Sequence, residues 1–295
     1  VEITPEGALA AALPGAGQQP VYAFAALPAG ALVAGIAEPN LRMPEVVAEA
    51  LRTALADIPT HSHFVTLIVP DTSVRVFVLD FDSLPDKPAE AMPVLRFRLR
   101  KMVPFDVEHA AVSYQRLPQN GSKPRSQPGS QDGAIRVLTA IMPGPILAEY
   151  EAAVRAADFE PGAVLSSSLA ALSSQESLEP ILAANLSSSA LTTSITSGQD
   201  LLLYRTAELP EDMAARVAEV QRSVAVAAAY YEDKLGAPAR QLHYAGAVAA
   251  SEFARAIREA GLEVVEVAPP PATGAATPLG PVGFAGINGA LAGVA

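Results

Sequence analysis

The stretch EPILAANLSSSALTTSITSGQDLLLYRT, residues 179–206, holds three short apolar segments separated by Ser-rich and Ser-Gly-Gln runs. Each segment has the length of a strand and each separator is made of turn formers, so EPILAANL, SALTTSIT and DLLLYRT are predicted to be three consecutive strands. A long helix is predicted next. Met213, Val217, Val220, Val224, Ala228, Tyr231 and Leu235 recur at steps of three and four, and Gly236 with Pro238 supplies a stop. QLHYAGAV (241–248) reads as a fourth strand, Ser251 is placed to cap the helix SEFARAIREAG, and LEVVEV (262–267) reads as a last strand.

The same order stands at the start of the chain. VEITPEGALAAAL (1–13) and QPVYAFAAL (19–27) read as short strands broken by turn residues. PEVVAEALRTALADI (44–58) has helical spacing, with Pro44 suited to a first turn, and HFVTLIVP (63–70) reads as a buried strand. DTSVRVFVLDF (71–81) alternates Val74, Val76 and Val78 with polar partners, as a half-buried strand of this first lobe would. The order strand, strand, strand, helix, strand is therefore duplicated.

Between the two copies lies a different unit, with a helix at 87–102, strands at 110–117 and 134–142, and a helix at 145–157. Its strands are linked by PQNGSKPRSQPGSQDG (118–133), which has no apolar residue and cannot offset its own ordering entropy. A mobile loop is expected there, and the Pro-rich APPPATGAATP (268–278) is expected to be an extended connector. The expected organisation is a first lobe at 1–84, an inserted subdomain at 85–165, a second lobe at 166–280 and a helix at 281–295 that packs back on the core.

Composition sets bounds on function. With 20 Lys and Arg against 31 Asp and Glu the formal charge is −11, which disfavours nucleic acid and anionic lipid as partners of the surface as a whole. The chain has no cysteine, so disulfides, thiolate metal sites and a cysteine nucleophile are excluded. No basic region precedes an apolar stretch at the start, and no signal peptide is expected. The apolar tail LGPVGFAGINGALAGVA (279–295) falls short of the roughly 20 residues of a membrane span and carries Pro281 and five glycines, so no direct membrane insertion is expected.

One stretch departs from the acidic average: LRFRLRKMVPFDVEHAAVSYQ, residues 95–115, a basic helix broken at Pro104 and resumed as an alternating strand. Its segment RKMVPFDVEHAAVSYQ is similar to a signature of the PilM-like type IV pilus assembly proteins, in which a charged helix, an Ile-Pro-Phe turn and a strand ending in Tyr-Gln follow one another. EVQRSVAVAAAYYEDKLG (219–236) also resembles the long helix of that family, with its Gln-Arg-Ser and paired tyrosines. The resemblance covers nearly the whole chain and extends to the cytoplasmic domain of the type II secretion protein GspL. It implies an α/β fold of two duplicated actin-like (ribonuclease H-like) lobes with a small inserted α+β subdomain. It also implies a cytoplasmic protein held at the inner membrane through partners. Those partners are the N-terminal tail of a PilN-like inner-membrane protein and a pilus motor ATPase.

In the actin-like group ATP and Mg sit between two phosphate hairpins, whose glycines let backbone N–H groups approach phosphate. The positions that correspond here are Glu2, Thr4 and Pro5 in the first hairpin, Asn185, Ser187 and Ser188 in the second, and Gly246 and Ala247 in the adenosine motif. Pro5 removes a donor and Glu6 puts a charge where phosphate would come. Asn185 stands where a carboxylate that orients magnesium-bound water is expected. Together these departures predict no catalytic residue and no competent ATP hydrolysis. A second reading keeps Asn185 and Ser187–Ser189 as simple turn formers, and an ATP-binding PilM-like or GspL-like protein of weak activity is the alternative. A sugar-kinase relative is the third reading, and no catalytic aspartate can be placed for it.

For the partner tail the resemblance implies a groove between the first lobe and the insert, with Arg96, Arg100, Val103, Pro104 and Phe105 as candidate contacts. The plain alternative is that Arg96, Arg98, Arg100 and Lys101 form the solvated face of a helix whose Leu95, Leu99 and Met102 face inward, with Asp106 and Glu108 neutralising it. His61 and His63 have the spacing of a metal pair and no third ligand, so no metal site is expected. No nucleophile-elbow spacing is present, and Gly15-Ala16-Gly17 lacks the third glycine of a dinucleotide fingerprint.

Overall fold

The structure is a computed structural model that describes residues 1–15, 18–60, 62–118, 134–173, 177–267 and 283–293. Apart from Pro118, the expected loop at 118–133 and the connector at 268–278 lie outside the described residues, as does His61.

In the first lobe, β1 (Glu2–Thr4), β2 (Gly7–Ala12) and β3 (Val21–Ala26) form an antiparallel meander, α1 (Pro44–Ala56) follows, and β4 (Phe64–Val69) returns parallel to β1. The chain then leaves through β5 (Arg75–Phe81), α2 (Pro88–Leu99), β6 (Ala110–Arg116) and β7 (Ile135–Pro143). It comes back through α3 (Gly144–Ala156), β8 (Glu160–Ser166) and the short α4 (Ser167–Leu172). The second lobe contains β9 (Ile181–Leu186), β10 (Ala190–Ser197), β11 (Asp200–Glu208), α5 (Met213–Leu235), β12 (Gln241–Gly246), α6 (Ala250–Ala256) and β13 (Glu263–Glu266). The described chain ends in α7 (Ala285–Ala292).

The two lobe sheets have one topology. Their strand orders are β3-β2-β1-β4-β8 and β11-β10-β9-β12-β13, an antiparallel meander followed by two parallel strands in each case. The duplication read from the sequence is thus a duplication of pairing. In the parallel strands apolar or small residues fill buried positions: Ile3 in β1, Leu67–Val69 in β4, Ile181–Ala184 in β9 and Leu242, Tyr244 and Ala245 in β12. The cores are correspondingly small-chained. Ala8, Ala10, Val47, Leu51 and Leu67 pack in the first lobe, and Leu182, Ala184, Leu191, Val220 and Val224 in the second.

Three element assignments are corrected. Strand 75–81 does not join the first lobe; it pairs antiparallel with β7 in a separate three-stranded sheet of order β5-β7-β6. The residues that alternate with Val76 and Val78 are the apolar Phe77 and Leu79 rather than polar partners, and both faces are covered. Phe77, Leu79 and Phe81 pack beneath α2, while Val76 and Val78 pack against Leu201 and Tyr204 of β11. Helix 145–157, read as part of the insert, is α3, and its Ile146, Tyr150 and Val154 enter the core of the first lobe. β8, for which EPGAVLS offers no strand signal, completes the first sheet by pairing with β4.

At the helix ends, Asp212 accepts a hydrogen bond from the Ala215 N–H and Gly236 closes α5 at φ 73°. The buried stripe of α5 includes Val220, Val224 and Ala227; Met213 and Val217, expected inside, are exposed. Ser251 caps nothing, since α6 begins one residue earlier at Ala250 without a side-chain cap.

Candidate functional site

The two hairpins that the sequence points to meet between the lobes around a cavity of about 40 Å³. Its walls include Glu2, Thr4, Pro5 and Glu6 from the first hairpin, Asn185 and Ser187–Ser189 from the second, and Ala247. Gly246 adjoins it through the Leu186 carbonyl, which a Cβ at Gly246 would meet at 2.7 Å. The sequence-predicted nucleotide residues are therefore brought together.

Each hairpin is closed by a hydroxyl at the end of its first strand. Thr4 Oγ1 accepts from the Gly7 N–H and donates to the Gly7 carbonyl, both at 3.2 Å. Ser187 Oγ likewise accepts from the Ala190 N–H at 3.0 Å and donates to its carbonyl at 3.2 Å, and it also accepts from the Ser189 N–H at 3.4 Å. Ser187–Ser189 thus form a turn, as their composition suggests, whereas Asn185 lies on β9 opposite Thr192 and Ala245. The Ala247 N–H is taken by the Leu186 carbonyl at 3.3 Å, and Tyr244 Oη donates to the Val248 carbonyl at 2.8 Å, which fixes the turn after β12. The N–H groups of Gly7, Ser189, Ala190 and Ala247 are paired inside the protein, and Pro5 has none.

The floor of the cavity is acidic, and of its two carboxylates the sequence pointed to Glu2 but not to Asp71. Asp71, on the turn after β4, accepts from the Ser168 N–H at 2.9 Å, from Ser168 Oγ at 2.5 Å and from Thr192 Oγ1 at 3.3 Å. Ser168 in turn accepts from Asn185 Nδ2 at 2.9 Å, so Asn185 joins the lobes through a serine. Glu2 accepts from Ser167 Oγ at 2.6 Å and from the Ile287 N–H of α7 at 3.1 Å. Burial pushes the Glu2 carboxyl up to about 7, with the Asp71 charge adding to the shift, and burial raises Asp71 as well. Asp71, Ser167, Ser168 and Thr192 come from segments far apart in the chain, and no local pattern marks them.

The cavity measures about 40 Å³, below the roughly 300–1,000 Å³ of small-molecule pockets. Among the described residues its lining carries Glu2, Glu6 and Asp71 with no Lys or Arg. Among the described residues no cluster of three His, Asp or Glu is arranged for a metal, and His63 lies on the surface beside Phe159.

The second set of candidates divides. Arg96 and Arg100 line one open groove of about 410 Å³ on the outer face of α2, together with Met92, Pro93, Phe97 and Glu108. Val103 is buried with Leu99 and Val107 in the core of the insert, Phe105 is half-buried against the same core, and Pro104 is exposed. The Val-Pro-Phe turn is thus a plug of its own subdomain, because Val103 and Phe105 supply the apolar area that closes its end. Met102, expected inside, is exposed, whereas Leu95 and Leu99 are fully buried. Arg96 donates to the backbone carbonyls of Val107 and Ala110, and Arg100 pairs with Glu108 at 2.5 Å. Asp106 pairs with His109 rather than with the helix, and that imidazole holds its carboxyl below the usual range.

The sequence matches no protein-family model and no curated protein. Among solved structures the chain is similar to a PilM-PilN type IV pilus biogenesis complex, with a TM-score of 0.63 and 17% identity over 90% of this chain and 86% of that one. Two further likenesses are weaker. The cytoplasmic domain of EpsL, an inner-membrane component of the type II secretion system of Vibrio cholerae, gives a TM-score of 0.49 at 12% identity, covering 83% and 79% of the two chains. A Bacteroides thetaiotaomicron protein of actin-like ATPase fold gives 0.42 at 13%, covering 68% and 67%. Among the described residues no helix is long and apolar enough to cross a membrane. The duplicated sheet order, the inserted subdomain and the likeness along nearly the full length give this chain the fold seen in the PilM-PilN complex.

Proposed function

We propose that this protein is a scaffold of pilus or secretion assembly that binds the cytoplasmic tail of a PilN-like inner-membrane protein and does not turn over ATP. In this reading it works in the cytoplasm at the inner membrane, with the assembly's motor ATPase as a further partner. The observation that carries the noncatalytic part is the pairing of the hairpin donors. Thr4 and Ser187 take the N–H groups of Gly7, Ser189 and Ala190, around a cavity that among the described residues has three carboxylates and no cation. What supports the partner is the likeness to PilM in a complex with PilN.

Two measurements on the intact protein test the reading. Millimolar MgATP should leave the melting temperature unchanged and release no phosphate, whereas a ligand at 100 times its Kd adds about 2.7 kcal/mol of stability. Tail peptides of bitopic membrane proteins encoded beside this gene should bind. A melting shift that Asn185→Ala abolishes would establish the ATP-binding alternative instead.

A further inference from the structure

We infer that the outer face of α2 is a docking groove for an acidic protein segment that carries an apolar side chain. The inference deepens the scaffold reading and rests on it, since it names the chemistry of a partner. α2 is buried through Ala91, Leu95 and Leu99, and that stripe accounts for its place in the insert. The opposite face would be expected to be polar. It instead presents Met92, Pro93 and Phe97, with Phe97 66% exposed, as the floor of the groove of about 410 Å³.

The charges around this floor are unbalanced. Arg96 spends its hydrogen bonds on the carbonyls of Val107, Glu108 and Ala110, so among the described residues its charge is matched by no carboxylate. Lys101 Nζ stands 5.9 Å from the centre of the Phe97 ring and, among the described residues, pairs with no acid. Only Arg100 is matched, by Glu108. An acidic segment therefore gains two partners here, although the protein as a whole, at −11, would repel it. Pro93 adds a backbone feature. It has no N–H to give to the Ala89 carbonyl one turn back, and Ala89 also lines the groove, so that oxygen can accept from an incoming main chain.

These observations favour a peptide over a membrane. A bilayer surface is flat and cannot fill a concave site. An apolar residue laid on Phe97 and flanked by acids meets the floor and the two unmatched cations at once. The Phe97 and Lys101 pair sets the spacing: an acid one or two residues from the apolar side chain reaches Lys101 when that side chain covers the ring.

The test uses the full chain and a labelled peptide bearing Leu-Phe between two pairs of acidic residues, with a control in which Lys replaces each acid. We expect the acidic peptide alone to bind, with an affinity that falls as salt rises. Phe97→Asp and Lys101→Glu should each weaken binding at least tenfold without changing the melting temperature, because both side chains are exposed. Equal binding of the two peptides, or of the acidic peptide to both variants, would overturn the inference. So would binding of phosphatidylglycerol vesicles, or self-association of the protein, that the same variants abolish, since each would assign the face to another occupant. If the tail peptides of the membrane partner bind Phe97→Asp as they bind the wild type and the acidic peptide fails, the scaffold reading stands and the groove is lost.

Discussion

Glu2 stores a dependence of stability on pH. Its carboxyl is buried among Ser167, Ile287 and Gly286, and a Cβ on Gly286 would lie within 3.0 Å of both carboxyl oxygens. Desolvation raises it from 4.5 to about 7, while in the unfolded chain it returns to the lower value. Between those two values the folded protein keeps a proton that the unfolded chain has released. The contribution is therefore complete below about pH 4.5 and is lost as pH rises through about 7. Glu2→Gln keeps the shape, lets its oxygen accept from Ile287, and reverses the bond with the Ser167 hydroxyl. Relative to the wild type, the variant should gain up to about 3 kcal/mol as pH is raised from 5 to 8, because each tenfold change in proton affinity is worth about 1.4 kcal/mol. Urea unfolding at four pH values measures it, and parallel curves for the two proteins would contradict it. The sequence named Glu2 as a hairpin residue, but not its burial, because Ser167 and Ile287 reach it from 165 and 285 residues away.

At the scale of the element, α4 and α7 touch backbone to backbone. A Cβ on Gly289 would fall 2.0 Å from the Ala170 carbonyl oxygen. Gly289→Ala would raise helix propensity by about 1 kcal/mol in a free helix. Here the obstacle is main chain, which no rotamer can relieve, so overpacking of about 1–3 kcal/mol should win. Gly293→Ala meets its nearest atom at 3.6 Å and serves as the control. Denaturant midpoints that fall for the first and hold for the second are expected; a rise for both would mean that α7 is not seated on α4. Elements of this kind also show what the sequence could disclose. The meanders at 1–27 and 179–206 were legible because strand-length apolar runs alternate with Thr-Pro-Glu-Gly, Ser-Ser-Ser and Ser-Gly-Gln turns, and each strand pairs with its neighbour. β5 was readable as a strand but not as a member of the insert, since its partner β7 lies beyond α2 and β6. β8 and α4 gave no signal. Pro161 and Gly162 interrupt the first, the second has six residues, and both exist through contacts with β4 and α7.

At the scale of the whole molecule, the insert sheet is a clamp across the lobes. Val76, Val78 and Leu138 of β5 and β7 pack with Leu117, Leu201 and Tyr204, and Leu169 and Leu172 of α4 close the same cluster. Polar contacts frame it: Arg75 pairs with Glu208 at 2.5 Å, and Arg136 donates to the Leu201 carbonyl at 2.6 Å. The Arg75–Glu208 pair is largely solvated, so it contributes about 0–1 kcal/mol. The apolar seam dominates, because removing a buried leucine side chain costs about 2–5 kcal/mol. Two lobes with separate cores would ordinarily unfold in separate steps, and this seam is what should join them into one. Leu201 belongs to the seam, while Leu202 and Leu203 turn toward the core of the second lobe. Leu201→Ala should therefore weaken the joint while sparing both cores. Calorimetry of the wild type should give one transition whose measured and van't Hoff enthalpies agree. In Leu201→Ala the ratio should exceed one, with the second lobe melting apart from the first. A single transition that merely shifts downward would place the coupling elsewhere, in the Asp71, Ser168 and Asn185 bonds, and Asn185→Ala on the Leu201→Ala background would then split it.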